Sequence, residues 1–173
     1  MYEISKLVKL EKSYKKRLFS HFSDFFRDYK NNFKDKKIHK NFISRLTDLD
    51  NLQYGKGFYL ILTDFELNTN QCKFQDNKLK VIYRGHGSRI RKRVESHLFN
   101  DSYNNNKDGT HYPVCMKLEL KKNGININSG VYENYNWKVI SFSMIRSSQI
   151  MREQCEKAFD KIYGKPLGCK DNL

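Results

Sequence analysis

Apolar residues along the first third of the chain recur with helical spacing. Tyr14, Leu18, Phe22, Phe26, Tyr29 and Phe33 step by three or four, and Ile4, Leu7 and Val8 carry the stripe upstream. Lysines and arginines fill the other faces, which predicts a long amphipathic helix whose apolar stripe is a core or dimer contact, while its basic face could lie along a DNA backbone. Phe42, Ile43, Leu46 and Leu49 predict a second, shorter helix, so residues 1–50 read as helical. Gly55-Lys56-Gly57 ends this arm. The run 58–62 is continuously apolar and predicts a buried strand. A polar, turn-rich connection over 64–79 leads to a second strand at 80–84, the two forming an antiparallel hairpin. A helix over 88–99, a loop over 100–110 and strands at 112–120 and 137–144 follow, with Asn123-Gly124 and 128–136 joining the strands. Ser147 or Ser148 caps a last helix running to about Tyr163, which Gly164, Pro166 and Gly168 close. The order predicts an α+β fold: a small mixed or antiparallel sheet flanked by helices, with an N-terminal helical arm over 1–54 ahead of a domain over 55–173.

Charge narrows the function. The net charge of +14 over 173 residues suits a polyanionic partner. The plain alternative is a solubilising surface charge. No apolar run approaches membrane-spanning length, and the N-terminus lacks a signal peptide's apolar core. The expectation is an intracellular, cytoplasmic protein with no membrane partner. The four cysteines, Cys72, Cys115, Cys155 and Cys169, show no C-x-x-C spacing, so no zinc site and no disulfide framework are expected.

Candidate chemistry gathers between residues 57 and 97. On the 88–99 helix Arg89, Arg93 and His97 recur every fourth residue on one face, with Ile90, Val94 and Leu98 on a neighbouring one. Gly85-His86-Gly87-Ser88 reads as a glycine turn that lets backbone approach a phosphate ahead of a helix N-terminus. A tyrosine hydroxyl, a guanidinium and an imidazole around such a turn suit phosphate handling.

These residues resemble the GIY-YIG nuclease family. Gly57-Phe58-Tyr59 stands for the first tripeptide and Tyr83-Arg84-Gly85 for the second. Arg93 and His97 match the family's arginine and histidine, and Glu153 its metal-binding glutamate, so the similarity covers roughly residues 55–170. Phe58 and Arg84 depart from the tripeptides, Arg84 implying a more polar outer face for its strand. The connection between the tripeptides is longer than the family's usual hairpin. Gly168 stands about where the family often has an asparagine, leaving Asn172 as the late candidate.

The resemblance implies a Mg2+-dependent DNA endonuclease, with Mn2+ as a substitute, cutting phosphodiesters by a one-metal mechanism to leave 5′-phosphate and 3′-hydroxyl ends. Glu153 would hold the metal, with Glu156 an equally visible competitor; a solvated helix glutamate is the plain alternative. Arg93 would pair with the phosphate, although Arg89 or Arg91 could do the same work, and Arg91 and Glu95 could simply pair on the surface. His97 would relay the water's proton or orient Tyr59 or Tyr83. One of those tyrosines would take the proton and the other position it; two aromatics packing across strands are the alternative. Arg84, Gly85, His86, Ser88, Arg89, Arg91, Lys92 and His111 are the expected DNA contacts. A compact catalytic domain with a helical arm suits a type II restriction endonuclease, which cuts both strands of duplex DNA and so pairs as a homodimer. The alternatives are a non-catalytic basic nucleic-acid-binding protein, a homing, repair or RNA-cleaving member of the family, and a basic domain whose arm meets a protein.

Overall fold

The computed structural model describes residues 3–29, 35–100, 116–118 and 124–169. Helix α1 (Ile4–Arg27) leads to strand β1 (Ile38–Phe42) and a 3-10 helix (Leu46–Asn51). Strands β2 (Gly57–Thr63), β3 (Gln75–Asp76) and β4 (Leu79–Gly87) come next, then helix α2 (Ile90–Leu98), strand β5 (Trp137–Ser143) and helix α3 (Gln149–Tyr163). The five strands form one sheet in the order β1-β5-β2-β4-β3, and each described pairing is antiparallel. The fold is α+β, as the pattern predicts.

Alternation along the strands sends side chains to two cores. Tyr59, Ile61, Tyr83, Trp137 and Val139 pack with Ile90, Val94 and Leu98 of α2 on one face. Phe58, Leu60, Leu62, Val81, Ile140 and Phe142 pack with Phe26 of α1 and Cys155, Ala158 and Phe159 of α3 on the other. Helix α1 joins this second core only through its C-terminal half. There the Phe26 ring meets Phe159 edge-on at 5.4 Å, and the Tyr163 hydroxyl donates to the Phe26 carbonyl at 2.5 Å. Its N-terminal half leaves Ile4, Leu7 and Val8 exposed. No helix among the described residues is long and apolar enough to cross a membrane.

Two local expectations give way to sheet pairing. The expected helix over 42–49 is not an α-helix: Phe42 ends a strand and Leu46–Asn51 form a 3-10 helix. Strand β1 instead extends the sheet along β5, and the Ile43 amide continues the pairing to the Trp137 carbonyl at 2.9 Å. Leu46 and Leu49, three apart, fit the 3-10 turn that follows, held by the Asp48 carboxylate accepting from the Ser44 and Arg45 amides. Backbone bonds from those two amides lower the Asp48 pKa.

The glycine turn at 85–88 is also absent. Gly85, His86 and Gly87 are strand residues, paired with Tyr59, Phe58 and Gly57. These glycines mark close approach rather than a bend. A Cβ at Gly57 would strike the Phe142 carbonyl and lie 2.6 Å from Ile90 Cδ1. Helix α2 accordingly opens at Ile90, with Arg89 as its N-cap. Of the expected strand at 112–120, residues 116–118 are described and are irregular; the rest, with His111 and Cys115, lies outside the described residues. The final helix starts as expected, with Ser148 Oγ accepting from the Met151 amide at 3.2 Å.

Candidate functional site

Strands β2 and β4 bring the two motif tyrosines together. Tyr59 stands opposite Gly85, so Tyr83, two residues before that glycine, is its diagonal neighbour. Their ring centroids are 6.1 Å apart, and the His97 ring lies 4.5 Å from Tyr83. The Tyr59 hydroxyl and His97 Nε2 share a hydrogen bond of 2.9 Å, its direction set by the imidazole tautomer. A Cβ on Gly85 would lie 2.8 Å from that hydroxyl, so only glycine leaves room for the ring. Tyr59 and His97 are completely buried. Burial, reinforced by the nearby Arg93 charge, pushes the His97 pKa well down, so the imidazole is neutral at physiological pH.

Above this cluster the end of β4, α2 and the start of α3 converge on a cleft of about 380 Å3. The strand end supplies His86, Gly87 and Ser88; the α2 side supplies Arg89, Lys92, Arg93 and Ser96; α3 supplies Gln149 and Arg152. The spacing on α2 is helical, so its three cationic residues share one face. Gly87 lets Arg93 lie close, since a Cβ there would be 3.3 Å from Arg93 Cγ. Tyr59, Tyr83 and His97 do not line this cleft. Gly85, beneath which they pack, is one pleat repeat from Gly87 on the cleft wall, about 7 Å along the strand.

Arg152 is only 7% exposed. Its Nη1 donates to the Ser147 carbonyl and hydroxyl oxygens, both at 2.9 Å, while its buried Nε has no hydrogen-bond partner among the described residues. It makes no ion pair with any described carboxylate, although buried guanidinium groups ordinarily have one. His86 stands beside it, Nδ1 buried and likewise without a partner, Nε2 3.7 Å from Glu156 Oε2. Burial lowers the His86 pKa, with Arg152 adding to the shift and Glu153 opposing it. The α3 N-terminus adds its positive end to the same space. Arg89, Lys92, Arg93 and Arg152 thus give a cleft open to solvent a cationic lining, which suits an anion.

The carboxylates of α3 separate. Glu153 is half-buried and accepts from Gln149 Nε2 at 2.8 Å. Glu156 is tied to Arg84, Nη1 to Oε1 at 3.1 Å, and burial raises its pKa although Arg84 opposes the shift. Arg84 also grips Asp160, with Nε at 3.0 Å from Oδ1 and Nη2 at 2.7 Å from Oδ2. The polar outer face expected of Arg84's strand is therefore an internal ion cluster with α3, and Arg84 does not reach the cleft. Arg91 pairs with Asp50 rather than Glu95 and turns to the far side of α2. Of the other expected contacts, His86, Ser88, Arg89 and Lys92 line the cleft, Gly85 is covered by Tyr59, and His111 lies outside the described residues. Gly168 admits no side chain, since a Cβ would lie 2.7 Å from the Ile82 carbonyl; Asn172 is outside the described residues.

Ser96 and Gln149 are the cleft residues that sequence reasoning passes over, while Arg152, which beside Glu153 reads as facing solvent or a phosphate rather than the metal, is buried in the cleft wall. A signal existed: Arg152 precedes Cys155 and Phe159 by three and seven, which puts it on the inward face of the helix. Among the described residues no three His, Cys, Asp or Glu side chains gather as a metal cage, and Cys72, Cys155 and Cys169 are free and buried. Comparison of the chain with protein-family models, with curated proteins and with solved structures finds no match.

Proposed function

We propose that the protein is a metal-dependent endonuclease that hydrolyses phosphodiesters in duplex DNA inside the cell, working as a restriction enzyme through pairs of chains. The observation that carries this reading is the cationic cleft, with Arg152 buried in its wall beside Arg93 and His86 and held by no carboxylate among the described residues. Arg93 and Arg152, arriving from opposite helices, would clamp non-bridging oxygens of one phosphate, each guanidinium able to give two parallel hydrogen bonds. His97 would hold the Tyr59 hydroxyl in one orientation through the 2.9 Å bond. Either tyrosine would then take or position the proton of an attacking water.

Glu153 suits the part of metal ligand better than Glu156. It has only a neutral amide as partner, whereas Glu156 is engaged by Arg84. One carboxylate is enough for Mg2+, or Mn2+ in its place, when water and phosphate oxygens complete the shell. When bound, such an ion would supply Lewis-acid stabilisation of charge on the phosphate.

A second reading, a nucleic-acid-binding protein without catalysis, draws support from the burial of Tyr59, Tyr83 and His97 away from the cleft wall. The two part in one experiment. Purified protein, Glu153→Ala and Arg93→Ala are incubated with unmethylated phage DNA in Mg2+ or EDTA. Discrete bands that require metal and vanish in both variants are expected. A metal-dependent smear would retain the nuclease and remove the restriction role. Intact DNA throughout, bound equally by protein and Glu153→Ala, would leave the non-catalytic protein.

A further inference from the structure

A second cleft, of about 590 Å3, opens on the other side of the α2 N-terminus. It shares Ser88, Arg89 and Lys92 with the first, so the two lie on either flank of one cationic ridge. Their remaining walls differ in chemistry. The first adds His86, Arg93 and Arg152; the second adds Tyr54, Arg91 and Glu95.

Tyr54 is 84% exposed, so its ring contributes almost nothing to the core. Its backbone is nevertheless fixed. Leu52 is buried on one side, and Gly55, at φ +99°, takes a conformation few other residues adopt. The Gly55 carbonyl accepts from the Ile90 amide at 3.2 Å, which ties the loop to the first residue of α2. The Lys56 carbonyl accepts from Gln53 Nε2 at 3.1 Å and from the Met144 amide at 2.9 Å. An aromatic ring is thus presented to solvent from a braced loop, beside cations, at the start of the helix that lines the phosphate-suited cleft. Arg91 is held by Asp50, and the half-buried Glu95 offers an acceptor for an amino or imino group.

We propose that the second cleft is a nucleotide subsite, in which an unpaired base stacks on Tyr54 while its neighbouring phosphate occupies the Arg93–Arg152 cleft across the ridge. It rests on the nucleic-acid reading of that first cleft and adds the class of substrate: a single strand, or a duplex with one nucleotide turned out of its stack. Every base has a π-face, so a tyrosine platform tolerates any sequence, while the charged ridge tracks the backbone.

The test measures affinity in EDTA, so that cleavage plays no part. Two fluorescent strands of equal length are compared, one of oligothymidylate and one of abasic sugar-phosphate, against the protein, Tyr54→Ala, Tyr54→Phe and Arg93→Ala. The protein should bind oligothymidylate at least fivefold more tightly than the abasic strand. Tyr54→Phe should keep that preference, and Tyr54→Ala should lose it while holding the abasic strand as before. Arg93→Ala should weaken both strands together. Equal preference for the base-bearing strand in the protein and in Tyr54→Ala would overturn the subsite and leave the phosphate cleft standing. Failure of the protein to bind either strand would overturn the subsite, and failure to bind duplex DNA as well would remove the nucleic-acid reading itself.

Discussion

Replacing Arg152 by methionine separates the demands of folding from those of binding. Burial of a guanidinium costs several kcal/mol in desolvation. The two bonds to Ser147 return roughly 1.5–3 kcal/mol each, and the unmade bond at Nε takes back about 1–3. These contributions nearly cancel. Methionine fills much of the same volume without a charge; Ser147 keeps its own hydroxyl bond to the Met144 carbonyl at 2.6 Å, while its carbonyl loses the Arg152 donor at a cost of about 1–3 kcal/mol. Arg152→Met should therefore shift folding stability by no more than about 2 kcal/mol, against the roughly 3–5 lost when one member of a buried ion pair is removed. The ligand response should change far more. At a hundred times Kd, an oligonucleotide that binds only the native state adds about 2.7 kcal/mol. That gain should shrink to a small fraction in the variant. Urea unfolding with and without oligonucleotide, in EDTA, reads both quantities at once. A loss of 3 kcal/mol or more without ligand would mean that Arg152 has a structural partner the geometry does not reveal. An undiminished ligand gain would mean that the cleft is not where the anion sits.

The buried imidazole predicts a pH signature. Its folded pKa is depressed below the ordinary 6.5, so the stability from neutral His97 is complete above that value and falls as the solution is acidified below it. The slope is up to about 1.4 kcal/mol per pH unit. His86 adds in the same direction, while Glu156, whose carboxyl is raised, opposes from nearer its ordinary 4.5. His97→Gln keeps a polar partner for Tyr59 and should flatten the fall between pH 6.5 and 5 in urea titrations; an unchanged slope would place the titrating group elsewhere. Gly85→Ala drives a methyl to 2.8 Å from the Tyr59 hydroxyl and 3.0 Å from Tyr83 Cε1. It should cost about 1–3 kcal/mol, with part recovered when combined with Tyr59→Phe. Strict additivity of the two in unfolding experiments would show that the ring and the glycine do not compete for space.

Long periodic stretches were legible because the period survives folding. The stripe of α1, the apolar strand at Phe58–Leu62 within β2 and the capped α3 all carry their faces in local spacing. Spacing fails where two elements explain it equally well. Leu46 and Leu49 stand three apart in an α-helix and in a 3-10 turn alike, and only pairing with β5 selects the latter. Arg84 could not be told from a DNA contact, because its partners Glu156 and Asp160 are supplied by a helix more than seventy residues later. Arg152 was obscured for the opposite reason. Its place on the inward face of α3 is marked by its spacing from Cys155 and Phe159, but that no described carboxylate pairs with it there shows only in three dimensions.

Gly57, Tyr59, Tyr83 and Gly85 have a sufficient explanation in packing alone. Gly57 lets the Phe142 carbonyl and Ile90 come close, and Gly85 makes the space into which Tyr59 fits against Tyr83 and His97. A sheet that brings two tyrosines and a histidine into one buried cluster requires small residues opposite them, whatever the protein does. The tripeptides therefore speak first for the β2–β4 pairing and only second for chemistry. Arg93, Arg152, His86 and Glu153 are not required by that pairing. A fold in want of stability alone would lose little by replacing a buried guanidinium with an uncharged side chain, and here the guanidinium stands in the wall of a cleft beside a second arginine. The proposed phosphate-handling role therefore rests on this charge on α3, not on the glycines and tyrosines of the two tripeptides.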